Sequence, residues 1–99
     1  IVSIRLNDEL AFILFYDSNE GVYKVDVYNI STGIKTQTVT TAIDYSNYFT
    51  VAAGRAFLTQ YLNETATDVY MINSTSYNKK TVNTDNLSYY FTNDWANWD

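Results

Sequence analysis

Three pairs of acidic side chains are the places where this chain could do acid–base chemistry: Asp8 with Glu9, Asp17 with Glu20, and Asp26 with Asp68. A glycosidase sets two such carboxyls about 5 to 9.5 Å apart, one as acid and the other as nucleophile or base. Each pair here has a plainer explanation. Asp8, Glu9, Asp17 and Glu20 fall in polar stretches that read as turns, and Asp26 and Asp68 take alternating, solvent-facing strand positions. The stretch Asp17-Ser18-Asn19-Glu20-Gly21 begins like a calcium loop. Its glycine comes one position early, however, and Tyr28 stands where the bidentate glutamate of the twelfth position belongs. Cys and His are absent altogether. That removes disulfides, thiol nucleophiles, imidazole proton relays and metal sites built on Cys or His. The expectation is a protein that is not an enzyme, with no metal and no cofactor.

Aromatic side chains offer a second kind of chemistry, because sugars stack on exposed rings and hydrogen-bond to neighbouring amides and carboxylates. Tyr45, Tyr48, Tyr61, Trp95 and Trp98 have Asn47, Asn97, Asp94 and Arg55 within short sequence reach. The densest group is Trp95-Ala96-Asn97-Trp98-Asp99, which makes Trp95, Asn97 and Trp98 candidate sugar or partner contacts. Two tryptophans near the end of a chain more often pack on a core or on a neighbouring subunit, and that packing is the heavier reading.

Composition narrows the setting. The chain has 99 residues with 6 basic and 11 acidic side chains, for a net charge of −5. A single domain is expected at this length. Six scattered cations do not build a phosphate-binding surface, so nucleic acid is not an expected partner. Charged residues make up 17% of the chain and aromatics another 17%, including ten tyrosines. The charged share is below the roughly 25% of an average soluble domain. Polarity comes instead from Asn, Thr, Ser and Tyr, groups that stay hydrated without ionising, as suits an extracellular or cell-surface location. Four Asn-x-Ser/Thr sequons agree with that setting and make Asn29, Asn63, Asn73 and Asn86 candidate carriers of N-linked glycans. No apolar run approaches the roughly 18 residues of a membrane span. The chain opens on Ile1 rather than Met, which fits a processed product or an excised fragment.

The elements that must position these residues have period two almost throughout. Residues 10–16 (LAFILFY) form a continuous apolar run that fits a strand buried on both faces. Residues 22–28 alternate, with Tyr23, Val25 and Val27 on one side and Lys24 and Asp26 on the other. Between these two segments, residues 17–21 read as a hairpin loop. Residues 29–33 read as the next turn, before a Thr-rich outer strand over 34–41. The second half repeats the order, with strands expected over 48–52, 55–62, 67–73 and 77–83. Ala56-Phe57 echoes Ala11-Phe12, Asp68-Val69-Tyr70 echoes Asp26-Val27-Tyr28, Thr81-Val82 echoes Thr38-Val39, and Tyr90-Phe91-Thr92 echoes Tyr48-Phe49-Thr50. The separation is about 42 residues. Two units, 1–42 and 43–87, would each hold four strands, and 88–92 adds an extra strand.

A four-strand unit of this length, with a small-residue turn, an apolar strand, the Asp-Val-Tyr strand and a polar last strand, resembles a β-propeller blade of the extracellular kind. It lacks the Gly-His and Trp-Asp signatures of WD40 blades, and Trp98-Asp99 does not occupy the matching place. Two blades cannot close a ring, so the resemblance implies assembly with further copies. An antiparallel β-sandwich accommodates the same strands. The fold class is therefore all-β, either a sandwich or two imperfect blade-like units.

In both arrangements an apolar terminal strand carrying Ile1, Val2, Ile4 and Leu6 is an exposed edge that invites pairing with another subunit. The chain resembles in logic the donor-strand-complemented subunits of bacterial and archaeal surface filaments, with copies of itself as the partner. Under this reading it is a structural protein, and Ile1, Val2, Ile4 and Leu6 form the assembly strand. The alternative is a carbohydrate-binding module that closes into an oligomeric propeller.

Overall fold

A computed structural model describes residues 2–45, 48–52 and 54–86. Eight strands follow one another: β1 (Val2–Leu6), β2 (Leu10–Asp17), β3 (Val22–Asn29), β4 (Lys35–Thr40), β5 (Tyr48–Ala52), β6 (Arg55–Asn63), β7 (Ala66–Ile72) and β8 (Tyr77–Val82). A 3-10 turn over Thr84–Asn86 follows β8. The strands form two four-stranded antiparallel meanders, β1-β2-β3-β4 and β5-β6-β7-β8, each strand bonded to its sequence neighbour. The chain is all-β, as period-two patterning and the wealth of Val, Ile, Thr and Tyr require. Among the described residues no helix is long and apolar enough to cross a membrane.

The turns form where short polar side chains can replace missing backbone partners. Asp17 Oδ1 accepts from the Asn19 and Glu20 amides at 2.9 and 3.1 Å, and Gly21 N donates to Asp17 O at 2.7 Å. In the β3–β4 turn Asn29 Oδ1 accepts from Thr32 N, and Gly33 N donates to Asn29 O. Gly21 and Gly33 have φ of 71° and 72°, a left-handed conformation that a side chain would strain.

The two sheets pack face to face. Leu10, Phe12 and Leu14 of β2, Val25 and Val27 of β3 and Val39 of β4 meet Phe49, Ala56, Leu58, Tyr70 and Ile72 of the second sheet. The connection after β4 closes one side of this core. Ile43 is fully buried there, its carbonyl accepts from Tyr23 N at 2.8 Å, and Ala42 N donates to the Tyr70 hydroxyl at 2.9 Å. On the opposite face of the second sheet, Phe57, Val69, Met71 and Val82 form a separate buried cluster. The second sheet is thus buried on both sides. β2, expected to be buried on both faces, is instead buried at Leu10, Phe12 and Leu14 and half-exposed at Ala11, Ile13 and Phe15. Its outer side lies on the open face of the first sheet.

The registers give corresponding positions. Asp26 pairs Thr38 and Asp68 pairs Thr81, while Val25 pairs Val39 and Thr67 pairs Val82. The side chains match too: Thr38 Oγ1 donates to Asp26 Oδ1 at 2.6 Å, and Thr81 Oγ1 donates to Asp68 Oδ1 at 2.6 Å. The Ala-Phe echo sits two residues out of register, because Phe12 faces Val27 whereas Thr59 faces Val69. Val27 and Val39 point toward the second sheet, but their counterparts Val69 and Val82 point away from the first. The sheets therefore meet front to back, with unlike faces in contact.

Candidate functional site

Of the paired carboxylates that could have done chemistry, Asp17 and Glu20 share one lysine, Asp26 and Asp68 are held apart in different sheets, and Asp8 and Glu9 lie in an open turn. Asp17 Oδ2 lies 2.9 Å from Lys24 Nζ, which also pairs with Glu20 one turn of chain away. The hydrogen bond from Lys24, reinforced by the Glu20 and Asn19 amides, lowers the Asp17 pKa. The hydrogen bonds to Glu20 and Asp17 raise that of Lys24. That Lys24 would clasp both acids of the β2–β3 turn was not legible from residue type and spacing, since period two only places it on the face opposite Val25. Asp26 and Asp68 sit in different sheets. Each is held by its threonine and approached by a lysine, Lys35 at 4.0 Å and Lys79 at 3.5 Å. Asp8 and Glu9 line an open groove of about 340 Å³ with Asn7, Leu10 and Gly54. There Asn7 Oδ1 caps the β1–β2 turn by accepting from Glu9 N and Leu10 N. Among the described residues no group of three or more metal-ligating side chains comes together.

Three of the sequon asparagines are placed at hairpin ends, and the side chain of Asn86 lies outside the described residues. Asn29 Oδ1 accepts from Ser31 Oγ at 2.8 Å, and Asn63 Oδ1 accepts from Thr65 N and Thr65 Oγ1. Asn73 Oδ1 accepts instead from Ser76 N and Ser76 Oγ. Asx turns account for an asparagine followed two or three residues on by a hydroxyl, so turn formation alone supplies this pattern. Of the three, Asn63 is exposed, while Asn29 and Asn73 are half-buried. Trp95, Asn97 and Trp98 lie outside the described residues, as do Ile1 and the 88–92 segment.

The remaining candidate is the edge of the first sheet. β1 pairs over its whole length with β2, with Ile4 opposite Ile13 and Leu6 opposite Ala11. Alternation puts Ile4 and Leu6 on the face turned away from the second sheet, where they are 53% and 62% exposed. The other edges differ. On β4 the exposed side chains are Lys35, Thr36, Thr38 and Thr40, and β8 exposes Tyr77, Asn78, Lys79 and Thr81. β5 turns Phe49 into the core. Lysine and polar residues on an edge discourage pairing with another chain, so among the described edges β1 is the one whose exposed side chains are aliphatic. Its single charge, Arg5, projects to the other face. Arg5 Nε donates to Phe49 O at 3.2 Å, Nη1 donates to Ile4 O at 3.1 Å, and the guanidinium lies 5.6 Å from the Phe49 ring centroid. This link between β1 and β5 was not legible in the sequence, where Arg5 is only a lone cation in an apolar strand.

Comparison with known proteins finds no matching family model, no matching curated protein and no matching solved structure.

Proposed function

We propose that the chain is a structural subunit that associates with copies of itself through its first sheet, at an extracellular or cell-surface location. The observation that carries this reading is the aliphatic, half-open edge at β1, with Ile4 53% and Leu6 62% exposed beside half-exposed Ile13 and Phe15. Contiguous apolar surface of this kind is removed from water when a second subunit covers it. β1 is seated on its own β2, so the neighbour meets it as an edge and an apolar flank. The carboxylates occupied by Lys24, Thr38 and Thr81 support a binding role over a catalytic one. The exposed turn at Asn63 is the favoured place for an N-linked glycan on such a surface. A sugar-binding role would rest on Trp95, Asn97 and Trp98.

Negative-stain microscopy combined with native mass tests the reading. Filaments or discrete oligomers are expected, and a monomer at every concentration tried overturns it. One observation favours the closed-ring alternative. Front-to-back packing leaves a back face on the first sheet equivalent to the one that the second sheet buries, and a series of such contacts builds stacked units. A closed ring of a few copies, rather than a filament, is the outcome this second reading expects.

A further inference from the structure

We infer that two copies of the chain join edge to edge through β1, antiparallel about a twofold axis, with Ile4 of one copy opposite Ile4 of the other. This rests on the self-association reading and specifies its geometry. The two first sheets then become halves of one continuous eight-stranded sheet. A closed twofold contact uses the same patch on both subunits, so a strand can serve only if it complements its own reverse. β1, Val-Ser-Ile-Arg-Leu, does so about its centre. In that register Ile4 meets Ile4, Leu6 falls opposite Val2, and Ser3 falls opposite Arg5. The exposed Ile4 and Leu6 thus take aliphatic partners on one face, and the only charge on the strand is set against a hydroxyl on the other.

Neighbouring registers are worse. Centring on Arg5 places two guanidinium groups directly opposite, and like charges opposed across strands are destabilising. Centring on Ser3 leaves Leu6 beyond the paired segment. Arg5 is already turned toward the second sheet, bonded to Phe49 O at 3.2 Å. It therefore does not stand out over the edge as a charge that repels an incoming strand would. Its 3.1 Å bond to Ile4 O leaves that carbonyl a second lone pair for a strand partner. A second copy of the chain is the partner that fits, because no other edge of the described residues has this self-complementary, aliphatic character.

The full chain contains no cysteine, so a single introduced thiol reports one position. Residues opposed in antiparallel strands have Cα atoms about 4.5 to 5.5 Å apart, within the disulfide range. Ile4→Cys is expected to form a covalent dimer on mild oxidation. Ser3→Cys and Arg5→Cys are expected to cross-link only when mixed with each other. Leu6→Lys, at an exposed site, is expected to weaken dimerisation at least roughly tenfold by native mass while the circular dichroism spectrum stays unchanged. If Ile4→Cys fails to fold, the mixed Ser3 and Arg5 pair reads the same register. A native oligomer with no cross-link at these positions overturns the β1 pairing and leaves self-association standing. A native chain that stays monomeric overturns both.

Discussion

The two sheets are built alike and buried differently. Each is a four-stranded meander, and the third and fourth strands share a register down to the Thr–Asp hydrogen bonds at 2.6 Å. Yet the first sheet has one closed face, whereas the second is closed on both, with Phe57, Val69, Met71 and Val82 buried on its far side. Val27 and Val69 are counterparts and both fully buried, but in separate cores. Strand alternation assigns a residue to a face, and only packing decides whether that face meets protein or water. The consequence for function is that Ile4 and Leu6, on the open face of the first sheet, are exposed aliphatic residues of an edge strand, whereas the exposed Ile30 and Ile34 flank the β3–β4 turn and Leu62 lies on the inner strand β6.

The largest effects are expected where this comparison is sharpest. Phe12→Ala, between the sheets, and Phe57→Ala, on the far face of the second, are each expected to cost about 3 to 5 kcal/mol in urea unfolding. A loss below about 1 kcal/mol for Phe57→Ala would break the claim that the second sheet has two cores. The next effect has the opposite sign. Opposite Val69, where the first sheet sets Phe12 against Val27, the second sheet has Thr59, 1% exposed with no hydrogen-bond partner for its hydroxyl among the described residues. Thr59→Val removes that unpaired group and is expected to stabilise by about 1 kcal/mol, read as a raised urea midpoint at unchanged slope.

The smallest effect separates the two equivalent hairpin turns. The β2–β3 turn is charged, with Asp17 and Lys24, whereas the β6–β7 turn is held by the amide oxygen of Asn63. The Asp17 pKa is lowered below its ordinary 3.8, so its contribution is present above that value and lost as pH falls through the folded one. The Lys24 pKa is raised above its ordinary 10.5, so its contribution is present below that value and lost as pH rises through the folded one. Amide protection at Glu20 and Gly21 is therefore expected to weaken at both extremes relative to Thr65. Equal pH responses in the two turns would show that the lysine clasp contributes nothing.

Much of the fold was legible in advance because strands and turns obey local rules. The β5 boundaries match those expected from the sequence, and the 17–21 and 29–33 turns form where Asp, Asn and Gly allow them. The candidate edge was legible as well, since Ile4 and Leu6 stand two apart in a terminal strand. The Arg5 link to Phe49 and the Lys24 clasp were not, because the first joins residues 44 apart and the second depends on where a long side chain reaches. The sequon hydroxyls were legible, but not that Asn29 and Asn63 would use them within their own turns.

By itself the sequence determined the strand order, the hairpin turns, the alternation of faces, and the absence of thiol and imidazole chemistry, all consequences of residue type and near neighbours. Only the tertiary structure decided that the sheets meet front to back and that the second is closed on both faces. It also decided that the aliphatic edge left exposed belongs to β1. Burial depends on which surfaces, distant in sequence, come within van der Waals contact, and a period of two is the same whichever surface arrives.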